Sequence, residues 1–144
     1  MTLSSPLNTQ QLELESITTL ESQLQQRQNL AAIGQRYTDI VWAAGLFEGE
    51  GCICSPNNRP KQRKLYIAMT DKDVMERFVN VVGFGNLTGP YMYEKSSNKT
   101  PYWSWQIVKS KEVLRILKMF LPHLGKRRAK KALEAINHLH EIIN

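Results

Sequence analysis

No apolar run approaches the ~18 residues a membrane-spanning helix needs, so no membrane segment is expected. Cysteine is equally scarce. Cys52 and Cys54 stand two apart with no second pair elsewhere. On a strand they share a face, which is too small a ligand set for structural zinc, and a reduced intracellular pair is expected. His123, His138 and His140 make no zinc-ligand pattern. The N-terminus lacks a basic start followed by an apolar segment. Before residue 34 it carries Glu13, Glu15 and Glu21 against Arg27, unlike a secretory signal or a transit peptide.

Acidic residues are in short supply as well, 13 against 19 Lys and Arg, for a net charge of +6. The imbalance is uneven. Residues 1–38 sum to −1, so the remainder carries +7. A basic balance of this kind fits a polyanionic partner, nucleic acid above all.

At 144 residues the chain has the size of about one domain. Residues 7–33 are rich in Gln and Leu, and Ile17, Leu20, Leu24 and Ala31 recur at helical spacing. They predict an N-terminal helical extension, 1–37, serving either as a pairing helix or as a partly ordered leader. Gly34 is expected to end it, and Thr38 to cap a new helix from Asp39 that stops around Gly49–Gly51. Residues 38–144 form the second region. Alternation predicts strands near 52–55, 63–70, 86–94 and 101–108, with helices at 73–82, from Ser110, and over 126–143. The fold class is α+β, a helix-covered four-stranded antiparallel sheet with an open second face.

The stretch "VWAAGLFEGEG", Val41 to Gly51, carries the most chemistry. A helix apolar all round must be buried on more than one side. Gly45 and Gly49, with Ala44 and Trp42 beside them, would let a second helix backbone approach closely. Glu48 and Glu50 follow at the negative end of the helix dipole, where a carboxylate is disfavoured by about 0.3–1 kcal/mol. They are either solvated or neutralised by a cation such as Mg2+, which binds through one or two carboxylates.

"AAGLFEGEG", Ala43 to Gly51, resembles the motif of the LAGLIDADG homing endonucleases, with Ala43 for the leading leucine, Phe47 for isoleucine and Glu for both Asp. The αββαββα order of elements matches that family over about residues 38–140. A single motif implies a homodimer, and the resemblance implies a metal-dependent, site-specific endonuclease that cuts both strands of a long, nearly palindromic DNA site, as in intron homing. Members of the same fold also act as RNA maturases or DNA-binding regulators, so a non-catalytic nucleic-acid binder is the alternative. The implied place of action is intracellular, in a bacterial or phage cytoplasm or an organelle.

Carried over residue by residue, the metal ligand falls on Glu50, helped by the Gly49 carbonyl, with Mg2+ or Mn2+ as the ion. Glu48 is then a bystander. Asp71 stands where the family has a glutamine, and it orients water, binds metal, or only caps the next helix. The family's catalytic lysine near the start of the last helix, which stabilises transition-state charge, falls on Lys126, with Arg127 or Arg128 as alternates. The resemblance places the open sheet face in the DNA major groove. By alternation that face takes Cys52, Cys54, Lys64, Tyr66, Ala68 and Thr70 from the first two strands. Asn86, Thr88, Met92 and Glu94 follow on the third, provided Gly89-Pro90 keeps the register, and Tyr102, Ser104 and Gln106 on the fourth. Arg59, Lys61, Arg63, Lys95 and Lys99 lie in or beside the hairpin turns. Arg127 and Arg128 extend the basic surface.

Overall fold

A computed structural model describes residues 6, 8–93 and 100–143; Glu94, Lys95 and Lys99 lie outside the described residues. The chain divides into two compact units, the first ending at Thr38 and the second running from Asp39 to Asn144.

The first unit is helical. Its start is a reciprocal capping arrangement. The Gln11 backbone N–H donates to Asn8 Oδ1 at 2.8 Å, and the Asn8 N–H donates to Gln11 Oε1 at 3.0 Å. Helix α1 (Thr9–Glu50) does not stop at Gly34. Thr38 begins no new helix either, because its hydroxyl donates to the Gly34 carbonyl at 3.0 Å, one turn back. The expected break is therefore absent, and the two predicted helices are one element.

In the second unit α1 is followed by β1 (Cys52–Cys54), β2 (Lys64–Met69), α2 (Lys72–Val82), β3 (Asn86–Tyr91) and β4 (Tyr102–Ile107). Then come α3 (Ser110–Phe120), a 3-10 turn (Leu121–His123) containing Pro122, and α4 (Lys126–Ile143). The four strands form one antiparallel sheet in the order β1-β2-β4-β3. Period-two alternation sends Leu65 and Ile67 of β2, and Trp105 and Ile107 of β4, into the core. There they join Ala43, Ala44 and Phe47 of α1, and Met75 and Phe78 of α2. Val113, Leu117 and Phe120 of α3, with Leu139 of α4, complete the cluster. The Phe78 ring meets Trp105 edge-on at 4.9 Å, and Phe47 lies 5.6 Å from Phe120. Trp105 Nε1 donates to the Phe84 carbonyl at 2.8 Å, so the buried indole keeps its hydrogen bond.

β3 departs from simple alternation. Asn86, Leu87 and Thr88 pair with Gln106, Trp105 and Ser104, but Tyr91 pairs with Tyr102. One extra residue therefore lies on β3 between Thr88 and Tyr91, as a bulge in which Gly89 holds φ 134. The bulge flips which residues share the open face.

Candidate nucleic-acid interface

The end of α1 has two sides. On one, Ala43, Ala44 and Phe47 are buried in the unit's own core. On the other, Val41, Gly45 and Gly49 are exposed, and a Cβ added at either glycine would meet nothing within 4 Å. The stripe expected to receive a second helix is thus uncovered in the single chain. Ala44, expected on that stripe, lies instead in the core. Trp42 is half-buried, with the Arg77 guanidinium 3.9 Å from its ring centroid.

The helix closes with the Gly51 N–H donating to the Phe47 carbonyl at 2.8 Å. Gly51 is required by space. A Cβ there would stand 2.3 Å from the Phe47 ring.

The two acids differ in their surroundings. Glu50 is exposed. Glu48 is tied to α4: its Oε2 lies 3.6 Å from Arg128 Nε, with side-chain exposures of 38% and 14%. Neither of these two atoms has a hydrogen-bond partner among the described residues. Arg128 Nη1 donates to the Gly51 carbonyl, and its guanidinium lies 5.8 Å from the Phe47 ring centroid. A Cβ at Gly125 would come 2.7 Å from Glu48 Oε1, so the start of α4 packs directly on this carboxylate. Glu48 is thus tied into the fold by Arg128 and the start of α4. Arg128, expected on DNA, is turned inward and holds a cation at the C-terminal end of the α1 dipole.

Next to this clamp, Arg127, Arg128 and Lys131 line a pocket with Gly51, Cys52 and Ile53. Lys126 opens α4 and is exposed, but it does not line this pocket. The sequence reading missed Lys131. Its signal was available, because Lys131 is four residues after Arg127 and so shares its helix face. Asp71 occupies the N-cap position of α2 without making a side-chain capping hydrogen bond. The capping role expected as one alternative is therefore absent. Among the described residues no group of three or more His, Cys, Asp or Glu side chains is placed to hold a metal ion.

The strand registers place the expected sheet residues on one surface. Cys52 pairs with Tyr66 and Cys54 with Lys64; across the centre, Tyr66 pairs with Gln106 and Ala68 with Ser104. Asn86 and Thr88 complete it on β3. Ser104 is on this surface but only 8% exposed, and its hydroxyl hydrogen-bonds Thr88 Oγ1 at 3.0 Å. It packs between strands and is not an open reading group. Beyond the bulge, the residue opposite Tyr102 is Tyr91, not Met92, which follows the strand end. Tyr93 stacks on Tyr102 at 4.4 Å and Tyr91 lies 5.5 Å from it. These two tyrosines replace Met92 as contributors to the face. Thr70 lies just past the end of β2 and is exposed.

Burial, reinforced by the neighbouring hydroxyls of Tyr102 and Tyr93, pushes the Tyr66 phenol upward. Burial also raises the Cys54 thiol, helped by Cys52, while Lys64 and Lys131 pull it down. Lys64 Nζ sits 5.4 Å from the Tyr66 ring centroid. In the β1–β2 connection Arg59 and Lys61 are exposed. Arg63 Nη1 donates to Ser55 Oγ and the Pro60 carbonyl, both at 3.0 Å, so Arg63 builds the turn. His138 Nε2 lies 2.6 Å from the Lys61 carbonyl and ties α4 to the same turn. That structural role was also missed, since nothing in the sequence links positions so far apart.

No protein-family model matches the chain, and no curated protein sequence matches it. Solved structures do. The homing endonuclease I-CvuI, in complex with a DNA target, superposes with a TM-score of 0.57 at 16% identity, covering 76% of this chain and 71% of that one. The group I intron-encoded homing endonuclease I-CeuI, complexed with DNA, gives 0.55 at 12% identity over 99% and 80%. The LAGLIDADG meganuclease I-AabMI, bound to uncleaved DNA, gives 0.51 at 19% identity over 72% of this chain and 36% of that one. No described helix is long and apolar enough to cross a membrane. With its αββαββα order, its sheet topology and these neighbours, the chain has the LAGLIDADG homing endonuclease fold.

Proposed function

We propose that this chain is one half of a homodimeric, divalent-metal-dependent DNA endonuclease that cuts both strands of a long, nearly palindromic site. The observation that carries the reading is the open stripe of Val41, Gly45 and Gly49, which ends on the exposed carboxylate of Glu50. A second copy seated on that stripe would bury it by the isologous contact a two-fold axis requires. The same contact would bring two Glu50 carboxylates together beside two sheet faces.

One carboxylate per chain, with the Gly49 carbonyl, fits half of a Mg2+ or Mn2+ site, because such ions keep several waters and take phosphate oxygens as remaining ligands. Bound there, the ion would supply a nucleophilic water and charge stabilisation for phosphodiester hydrolysis. The chain's own residues would do the rest. Asp71, with no capping bond to make, would orient the attacking water. Arg127 and Lys131, lining the pocket beside β1, would offset charge growing on the phosphate. Lys126, exposed at the start of α4, would contact backbone phosphate. On the sheet, the amides of Gln106 and Asn86, which both donate and accept, and the Lys64 ammonium, which only donates, would read base edges in a major groove. Arg59 and Lys61 would hold phosphates and set the register.

The test is selection of cleaved sites from a randomised DNA library with Mg2+. The reading expects a pseudo-palindromic consensus with cuts on both strands at symmetry-related positions. Binding to a consensus that is never nicked would favour the non-catalytic nucleic-acid binder.

A further inference from the structure

We propose that α4 is a splint that sets the pose of the β1–β2 hairpin on DNA, with His138 as a positioning residue for base reading at the hairpin's far end. The proposal rests on the reading above that the open sheet face enters a major groove, and it names what holds one arm of that face in place. The residues concerned all belong to the second unit.

β1 gains little hold from its own packing. It is three residues long, lies at the edge of the sheet paired with β2 on one side, and of its residues only Ile53 is buried. The connection that follows, residues 55–63, is braced from within. The Arg59 N–H donates to the Pro56 carbonyl and the Gln62 N–H to the Arg59 carbonyl, both at 3.0 Å. Arg63 spans Ser55 and Pro60. Such a turn keeps its own shape, but these local bonds do not set its angle to the rest of the unit.

α4 meets the hairpin from root to tip. At the root, Arg128 Nη1 donates to the Gly51 carbonyl. Next to it, Lys131 lines the pocket with Cys52 and Ile53. At the tip, His138 Nε2 meets the Lys61 carbonyl at 2.6 Å, and since a carbonyl only accepts, the ring N–H donates. Steps of three and seven keep Arg128, Lys131 and His138 on one helix face. The lengths agree as well. From Arg128 to His138 the helix rises about 15 Å, and extended chain from Gly51 to Ser55 covers about 13 Å.

The turn carries the exposed cations Arg59 and Lys61, and β2 starts beside it with Lys64. All three lie at the end of the hairpin away from Glu50. The His138 tie therefore limits how this end can swing, and with it which base pairs far from the cut Lys64 can meet.

The experiment uses the full chain, with competition binding to single-base variants of a selected DNA site, well below the melting transition. His138→Ala should lower preference at the base pairs farthest from the centre of the site by about three- to tenfold, leaving preference near the centre unchanged. His138→Gln, whose amide N–H can reach the same carbonyl, should restore most of it. Unchanged preference at the outer pairs in His138→Ala overturns the splint, whatever happens to overall affinity or melting temperature, and a merely structural role predicts that outcome. Binding is read whether or not the DNA is cut. A consensus that is bound and never nicked, yet loses outer preference in His138→Ala, overturns the endonuclease and keeps the splint. A chain that selects no consensus overturns both.

Discussion

The two sides of the end of α1 are built from neighbouring residues and solve opposite problems. On the closed side, Phe47 fills the core and Glu48 meets Arg128. On the open side, Gly45, Gly49 and Glu50 are exposed, and a Cβ added at either glycine would meet nothing within 4 Å. Within two helical turns the chain thus carries one side committed to its own core and one side left open. Substitutions on the closed side should be read in stability, and those on the open side in assembly and cleavage.

The sharpest way to break that comparison is Gly45→Leu. The monomer has room for the side chain, so its melting temperature should hold. At a closely packed helix pair each of two copies would overpack by about 1–3 kcal/mol, raising the dimer Kd by roughly 10²–10⁴-fold. Analytical ultracentrifugation beside a thermal melt reads both quantities, and a fall in melting temperature without dissociation would place Gly45 on the wrong side.

Arg128→Ala probes the closed side. It leaves the Gly51 carbonyl and Glu48 without their cation and should cost about 1–3 kcal/mol of stability, discounted from fully buried pairs because Glu48 is partly solvated. Arg128→Lys should recover only part, since one ammonium cannot reach both partners in the guanidinium's fixed geometry. Urea unfolding measures this. A drop in DNA affinity at unchanged stability would return Arg128 to the DNA surface.

On the sheet, Gln106→Ala should relax discrimination at one base position by about 1–3 kcal/mol while leaving the fold intact, because Gln106 is exposed. Ser104→Ala, on the same strand, should change stability rather than base preference, since Ser104 is covered and bonded to Thr88. Competition binding to single-base variants of the site separates the two.

The smallest effect concerns the cysteines. Burial disfavours the Cys54 thiolate, so its pKa is raised and less of it is reactive near neutrality. Iodoacetamide should label exposed Cys52 first, and labelling of Cys54 should accelerate as pH rises above that of an ordinary thiol. Mass spectrometry of the labelled peptides checks the order.

Much of this arrangement was legible from the residues. Alternation in "KLYIAM" and "YWSWQI" fixes which side of the sheet is apolar, and the turn residues around Pro56 and Pro60 separate β1 from β2. Three features were not legible, each for a physical reason. Gly34 and Thr38 look like a stop and a cap, yet a helix tolerates glycine at a cost of about 1 kcal/mol, and Thr38 bonds back one turn. The bulge at Gly89 depends on backbone geometry that a plain alternation cannot express. In "KRRAKK" the basic residues look alike until the helix phase is known. That phase sends Arg128 inward to Glu48 and leaves Arg127 and Lys131 lining the pocket at β1.

The most direct test of the central claim compares Glu50→Gln with Glu48→Gln by Mg2+-dependent cleavage of a selected site, measured well below either melting transition. Glu50→Gln should lose at least about 10²–10³-fold in cleavage with DNA binding and melting temperature retained. Glu48→Gln should melt earlier and still cut. A Glu50→Gln protein that cuts at the wild-type rate, or a Glu48→Gln protein that stays stable but stops cutting, would contradict the assignment.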